Sequence, residues 1–317
     1  MKSDISELKE TLSTIQFNVS LKNHSTFRIG GKAKYFFVAK TKKDLILAVN
    51  IAKKLSLPFY LLGGGSKLLI SDKGFDGLII KVKNSKFKLE GNEIFAEAGV
   101  SLEKITKLAA ENSLSGLEWA AGIPGTVGGA IRGNAGAWGI SMKDIVKEVE
   151  VFDVKKQKIV FFNNKDCKFG YRTSVFKENP NLVVLSCKIS LKKGNKEKSK
   201  QEMKEYIEYR KKHHPLAFPS VGSIFENFTP SSDKIFELYP EFLQFKKNKE
   251  IPAGFLIAEC GLVGKRIGDV KISEKHSNFI INVGDGKAED VKKLIKLAKE
   301  KVKERFGIEL KEEIQYL

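Results

Sequence analysis

The sequence predicts an α+β protein, and three observations predict it. Helical and extended patterns are mixed without the glycine fingerprints of a doubly wound sheet. No GxGxxG opens a helix, and Gly63-Gly64-Gly65-Ser66-Lys67 lacks the GxxxxGK[ST] spacing of a P-loop. The middle of the chain carries short alternating stretches at 145–154 and 158–162, spaced for a hairpin turning near Lys155–Gln157, so the pairings should be mostly antiparallel. At 317 residues the chain exceeds one average domain, so two or three lobes are expected.

Taken in order, residues 1–15 read as a short helix, and Thr26–Gly31 as a strand entry closed by two glycines. Residues 43–55 put Leu45, Val49, Ala52 and Leu55 on one helical face. Pro58 ends that helix, and FYLL runs as a strand into the glycine loop. Strands follow at 78–83 and 93–98, and Ser101 is placed to cap a helix through Leu114, with Glu103 in its first turn. After a further strand at 182–191, the Lys-rich run 192–200 reads as a linker and 201–212 as a helix. Residues 229–250 look like a surface excursion. Pro252 opens a short helix to 260, His276–Val283 is a strand, and the tail from Ile308 alternates like one. The strongest helix is 288–306, with Val291, Leu294, Ile295, Ala298, Val302 and Phe306 on one face and Gly307 as its stop.

Composition removes several function classes. The net charge of +18 first suggests nucleic acid, but the basic residues are 50 Lys and 6 Arg, spread along the chain, whereas phosphate and base readers cluster Arg. A Lys-rich solvated surface is the plainer reading, with the positive field left to attract a small polyanion. Three scattered cysteines suggest a reducing compartment and no disulfide framework, and four histidines without ligand spacing suggest no metal. The acidic start MKSDISELKE is unlike a signal peptide and no apolar run is long enough to span a bilayer, so a cytoplasmic location is expected.

The most unusual stretch is 118–139, EWAAGIPGTVGGAIRGNAGAWG, with seven glycines and one formal charge after its opening glutamate, Arg132. Ile123, Val127, Ile131, Trp119 and Trp138 mark it as packed rather than a flexible linker. It reads equally as a rigid loop pressed against a flat or anionic cofactor and as a sheet with tight turns. The tryptophans are expected in the core.

Seven motifs in register carry a resemblance: TFRIGG, LLGGGSKLL, AGIPGTVGGAI with NAGAWG, GYRTSVF, GSIFEN, SEKHSNFIIN and LKEEI, from Thr26 to Ile314. Together they resemble the UDP-N-acetylenolpyruvoylglucosamine reductases of peptidoglycan synthesis, of the shorter, type II kind. The resemblance implies a two-lobed FAD-binding fold of the vanillyl-alcohol-oxidase type (residues 1–84 and 85–196) followed by an α+β substrate-binding domain (197–317). It implies non-covalent FAD, NADPH as reductant and a UDP-sugar substrate; composition points to no nucleic acid and no membrane, and the sequence does not reveal the oligomeric state, for which a monomer is the expectation. It places Gly63, Gly64, Gly65, Ser66, Lys67 and Leu68 on the cofactor, together with Gly122, Ile123, Pro124, Gly125, Thr126, Gly128, Gly129, Ala130, Asn134 and Gly136. Arg172, Ser223 and Glu313 match catalytic positions, and Tyr171 and Asn227 match substrate-binding ones.

The chemistry suits these residue types. Hydride addition to the alkene leaves negative charge conjugated into the pyruvyl carboxylate, which a planar, always-charged Arg172 can grip in two-pronged fashion. Glu313, kept neutral by burial, could share that work, and Ser223 could protonate a strongly basic enolate if charged neighbours assist. Individually, each has a plainer reading: a surface Tyr-Arg pair, a turn serine, a solvated tail carboxylate. The chain departs from the family pattern at Lys67 for a usual Asn, Gly133 for Met, Phe228 for Pro and LKEEI for LxPEV. Lys211, Lys212, His213 or His214 stands where a substrate-binding Lys is common. A non-catalytic flavin binder would keep the fold without turnover. An oxidase of the same superfold would commonly attach its flavin through a His, and neither glycine loop holds one.

Overall fold

The long C-terminal helix forms where its pattern puts it. In the computed structural model, which describes residues 2–317 and side chains from Ile5 onward, Ala288–Phe306 buries the six apolar residues named above. It ends at Gly307 with φ +68°, the left-handed stop that glycine adopts without strain. Its first turn is capped from far along the chain: Asp72 accepts from the amides of Ala288 and Glu289 at 3.0 and 3.2 Å. Helix Lys42–Lys54 starts at a capping box between Thr41 and Asp44. Of the helix expected over 1–15, Met1 lies outside the described residues, and Lys2–Thr11 is helical.

The chain divides into two compact units. One holds the residues up to Val19, Ala33–Gly64 and Phe75–Lys212; the other holds Ser20–Lys32, Gly65–Gly74 and His213–Leu317. In the first unit a four-stranded sheet runs in the order Gln16–Ser20, Lys32–Ala39, Phe75–Val82, Phe59–Leu62. Its inner pairings are parallel, against the expectation of antiparallel strands, because helix Lys42–Lys54 supplies the crossover between Lys32–Ala39 and Phe59–Leu62. A second sheet, order Lys158–Asn163, Val146–Asp153, Leu182–Ser190, Glu93–Glu97, Phe87–Glu90, is antiparallel throughout. It is covered on both faces. Val149, Val151, Cys187 and Ile189 join a core with Leu102 and Ile105, while Phe152, Val183 and Leu185 join one with Leu45 and Val49.

Several elements differ from the sequence reading for identifiable reasons. Thr26–Gly31 is not strand: Arg28 and Gly30 have φ of +55° and +141°, and the strand starts at Lys32. The helix after Ser101 ends at Glu111, where Ser113 turns left-handed, and the Ser101 hydroxyl makes no cap bond. The supposed linker 192–200 contributes Lys192–Lys193, paired with Leu114–Ser115, and then opens a helix running Lys196–His213. Lys and Glu are good helix formers, and Asn195 caps the start by accepting from Lys198. The stretch 118–139 contains a short helix, Val127–Arg132, and a hairpin pairing Gly136–Ala137 with Ile140–Ser141. Trp119 is buried, but Trp138 is 45% exposed. It occupies the two-residue hairpin tip with Gly139, both with positive φ, and stacks on Tyr206.

The second unit gathers its core from three stretches of chain: Phe27 and Ile29, Leu69, and residues from Val221 onward. Residues 229–250 are no passive excursion, because helix Lys234–Leu238 and the 3-10 turn Pro240–Phe245 insert Phe236 and Phe242 into that core. Only Ile280–Asn282 of the expected strand 276–283 is extended. It pairs with Val270–Ile272, which pairs with Arg266–Ile267. The tail keeps a short strand, Gln315–Tyr316, parallel to Leu68–Leu69. Among the described residues, no helix is long and apolar enough to cross a membrane, and no cluster of three His, Cys, Asp or Glu could hold a metal ion.

Candidate active site

The two glycine segments meet in the first unit. A Cβ on Gly63 would lie 2.7 Å from Thr126 Oγ1, and one on Gly64 would lie 2.8 Å from the Cα of Gly125, so Gly63 packs on the Thr126 side chain and Gly64 on the Gly125 backbone, with no room for side chains of their own. Thr126 also caps the helix beyond it, accepting from Gly129, and Gly128 donates to Ala98 O. A Cβ on Gly128 would meet the Ala98 Cβ at 2.7 Å. Ile123 donates to Ala120 O, Pro124 follows it in the loop, and Ala130 is buried. Gly136 is held by hairpin geometry, its Cβ position lying 2.6 Å from Ile140 O.

Two residues that the sequence reading passed over brace this cradle. Lys81 donates to Gly63 O at 2.6 Å, and burial, with Lys83 adding repulsion, pushes its amine down to about 8. Arg210 donates to Ala121 O and Trp119 O at 3.0 and 3.2 Å, and its side chain runs beside Gly122. The available signal for Lys81 was a lone lysine inside the apolar strand LIIKVK. Two closely packed glycine segments with a half-buried ammonium group on one carbonyl are suited to an anionic pyrophosphate. Tyr60, whose hydroxyl is pushed up by burial and drawn down by Arg132, lies in the strand leading to the cradle.

Tyr171 and Arg172 also belong to this unit. Gly170 and Thr173 pair across them, so the two residues form the tip of a tight turn, and Arg172 has φ +55°. The guanidinium carbon sits 4.9 Å from the centroid of the Tyr171 ring. Asn134 fixes the turn: its amide donates to Gly170 O at 2.8 Å and its carbonyl accepts from Lys143 N. Ser174, fully buried, donates to Arg132 O and so ties the turn to the same segment.

The second unit brings Ser223, Glu313 and Lys67 together. Gly65, left-handed, begins this part of the first loop, followed by Ser66, and Leu68 O accepts from Ser25. Lys67 Nζ lies 2.8 Å from Glu313 Oε1 and donates to Ser223 O at 2.8 Å. The Glu313 amide donates to Ile224 O, and its side chain is only 10% exposed. Glu312 instead pairs with Lys299 and accepts from Tyr316. Glu313, and not Glu312, is therefore the tail carboxylate that meets Lys67. The Ser223 segment is held on its other side by a bridge to Phe279 and by Asn278, which accepts from Phe225 N and donates to Phe225 O. His214 and His276 pack against Phe279 with tilted rings, centroids 5.0 and 4.7 Å away, and burial pulls His276 below its ordinary value. Asn227 donates to Glu250 at 2.8 Å and accepts from Ala253 N, capping the next helix.

Residues 33–162 match the FAD binding domain family, and residues 214–317 match the C-terminal domain of UDP-N-acetylenolpyruvoylglucosamine reductase. A reductase of that name from Caldanaerobacter subterraneus is 40% identical over 314 residues, covering 98% of this chain and 97% of the relative. The chain belongs to the UDP-N-acetylenolpyruvoylglucosamine reductase family. A second family member, from Caldicellulosiruptor bescii, is 42% identical over 94% of this chain and 88% of its own length. The crystal structure of the family enzyme (MurB) from Thermus caldophilus superimposes with a TM-score of 0.74 at 30% identity, covering 95% of this chain and 97% of that one. As a member of the reductase family the chain is an oxidoreductase with an α+β fold that includes an FAD-binding domain, as the motifs lead one to expect.

Proposed function

We propose that the chain reduces UDP-N-acetylglucosamine enolpyruvate to UDP-N-acetylmuramate in the cytoplasm, as a monomer, with NADPH as reductant, in peptidoglycan precursor synthesis. The observation that carries this reading is the single ammonium group of Lys67 bonded to both the Ser223 main chain and Glu313. FAD, held without a covalent bond, supplies the two-electron relay from NADPH to the alkene. The residues that would hold it are Gly63–Gly64 and Gly125–Thr126, packed on one another and braced by Lys81, with the main chain of Gly65–Leu68 and the rest of Gly122–Ala130. The lobes divide near residues 84 and 196.

Arg172 grips the pyruvyl carboxylate and stabilises the charge that hydride addition drives into it. The hydride goes to the terminal alkene carbon, and the carbon bearing the carboxylate must then take a proton. Ser223 Oγ gives that proton and recovers one from solvent. Glu313, an anion paired with Lys67, accepts hydrogen bonds and orders the donor. Tyr171 and Asn227 border the sugar nucleotide.

An anaerobic spectrum tests the reading. Purified protein should show bound oxidised flavin that bleaches with NADPH and recovers its colour on adding the enolpyruvyl sugar. A preparation that binds no FAD, or whose reduced flavin survives the substrate, would sink it. In stopped flow, Ser223→Ala should slow reoxidation by about 10²- to 10⁴-fold while NADPH reduces the flavin at nearly the wild-type rate. Equal impairment of both halves would make Ser223 structural.

A further inference from the structure

We infer that Lys67 is a positioning residue for the reduction, acting through Glu313 and the main chain of Ser223. The inference rests on the roles proposed above for those two residues. Three backbone segments converge here. Lys67 O accepts from the Gln315 amide at 2.9 Å, and Leu68–Leu69 pairs in parallel with Gln315–Tyr316, which brings the Glu313 carboxylate to the lysine. Glu313 N in turn donates to Ile224 O, which sets the Ser223 segment alongside. Gly222, with φ +76°, turns the chain so closely that a Cβ there would stand 3.5 Å from Lys67 Nζ.

An ammonium group has three donors, and two of them span the gap between a catalytic carboxylate and a catalytic serine's own carbonyl. Glu313 is 10% exposed against 39% for Lys67, so the carboxylate depends on its partner for a counter-charge more than the lysine does. Removing the lysine takes away the ammonium group that faces the carboxylate, and it unpins the serine backbone. A neutral side chain at position 67 supplies no charge for either task. Placement errors of an ångström at such a site cost large factors in rate.

The test is a double-mutant cycle read in separate half-reactions. Lys67→Met, which leaves the main chain of the glycine loop in place and removes only the side chain bonded to Ser223 O and Glu313, should slow reoxidation of the reduced flavin by the enolpyruvyl substrate by about 10- to 100-fold and slow flavin reduction by NADPH far less. Lys67→Arg, which keeps the charge, should recover part of that loss. In a Glu313→Gln background, Lys67→Met should cost less than it does in wild type, because the pairing with Glu313 is already gone and only the bond to Ser223 O remains to be lost. Lys67→Gln gives the same comparison if the Met variant does not fold. Additive losses, or reoxidation at the wild-type rate, overturn the inference. Equal slowing of both halves with weakened FAD binding also overturns it and makes Lys67 a cofactor contact. A wild-type flavin that substrate never reoxidises overturns the reading beneath it as well, which separates the two failures.

Discussion

Lys81 holds a cation in a place that penalises it. It lies between Ile80 and Val82, both buried, with its amine on Gly63 O. Burial lowers the amine from 10.5 to about 8 in the folded protein, while the unfolded chain keeps its proton to near 10.5. Between those values the unfolded state binds more protons, so the folded state gains stability as pH rises through this window. Denaturant melts of flavin-stripped wild type and Lys81→Met should therefore converge or cross in favour of wild type between pH 7 and 10, by on the order of 2 kcal/mol. A difference that does not change with pH would show that the ammonium group is better solvated than its position indicates. Added FAD should flatten the same curve, because a pyrophosphate supplies the missing counter-charge.

At the scale of elements, glycines in one motif have opposite sensitivities. Gly64 has the Gly125 backbone 2.8 Å from any added Cβ, whereas Gly129 has only Thr126 Oγ1 at 3.5 Å and sits inside a helix. Gly64→Ala should lower the melting temperature and weaken FAD binding. Gly129→Ala should leave the melting temperature unchanged or raise it, by up to about 1 kcal/mol in stability. Titrating FAD into both variants and melting them checks the pair; equal damage would mean the cradle has slack. The elements set by local pattern were legible in the sequence: helices 288–306 and 43–55, the hairpin at 146–163, and the packed character of 118–139. Those set by distant partners were not. The parallel pairing of Lys32–Ala39 needs Phe75–Val82 beside it, and only the tail residues that reach Leu68–Leu69 become strand. The candidate site divides in the same way. Ser223, Glu313 and Lys67 each stood out by motif or by departure from one, but a bond across 156 positions leaves no trace in spacing.

For the molecule as a whole, the stretch 229–250 matters more than its polar sequence suggests. Phe242 is fully buried and packs against Phe306 at the end of the long helix and against Phe255, with ring centroids 5.1 and 6.1 Å away. Phe242→Ala should cost about 3–5 kcal/mol, read as a drop in denaturant midpoint. A loss under 1 kcal/mol would return the segment to the status of a surface loop.

The second unit's three-part origin has a consequence for how the gene can be divided. The stretch matching the reductase C-terminal domain, 214–317, lacks Phe27, Ile29 and Leu69, which complete its apolar interior, and Lys67, which pairs with its carboxylate. Expressed alone, that stretch would be a domain by ancestry with a hole where its N-terminal contributions belong. A shuffled or transplanted cassette would have to carry the loops 20–32 and 65–74 along with it.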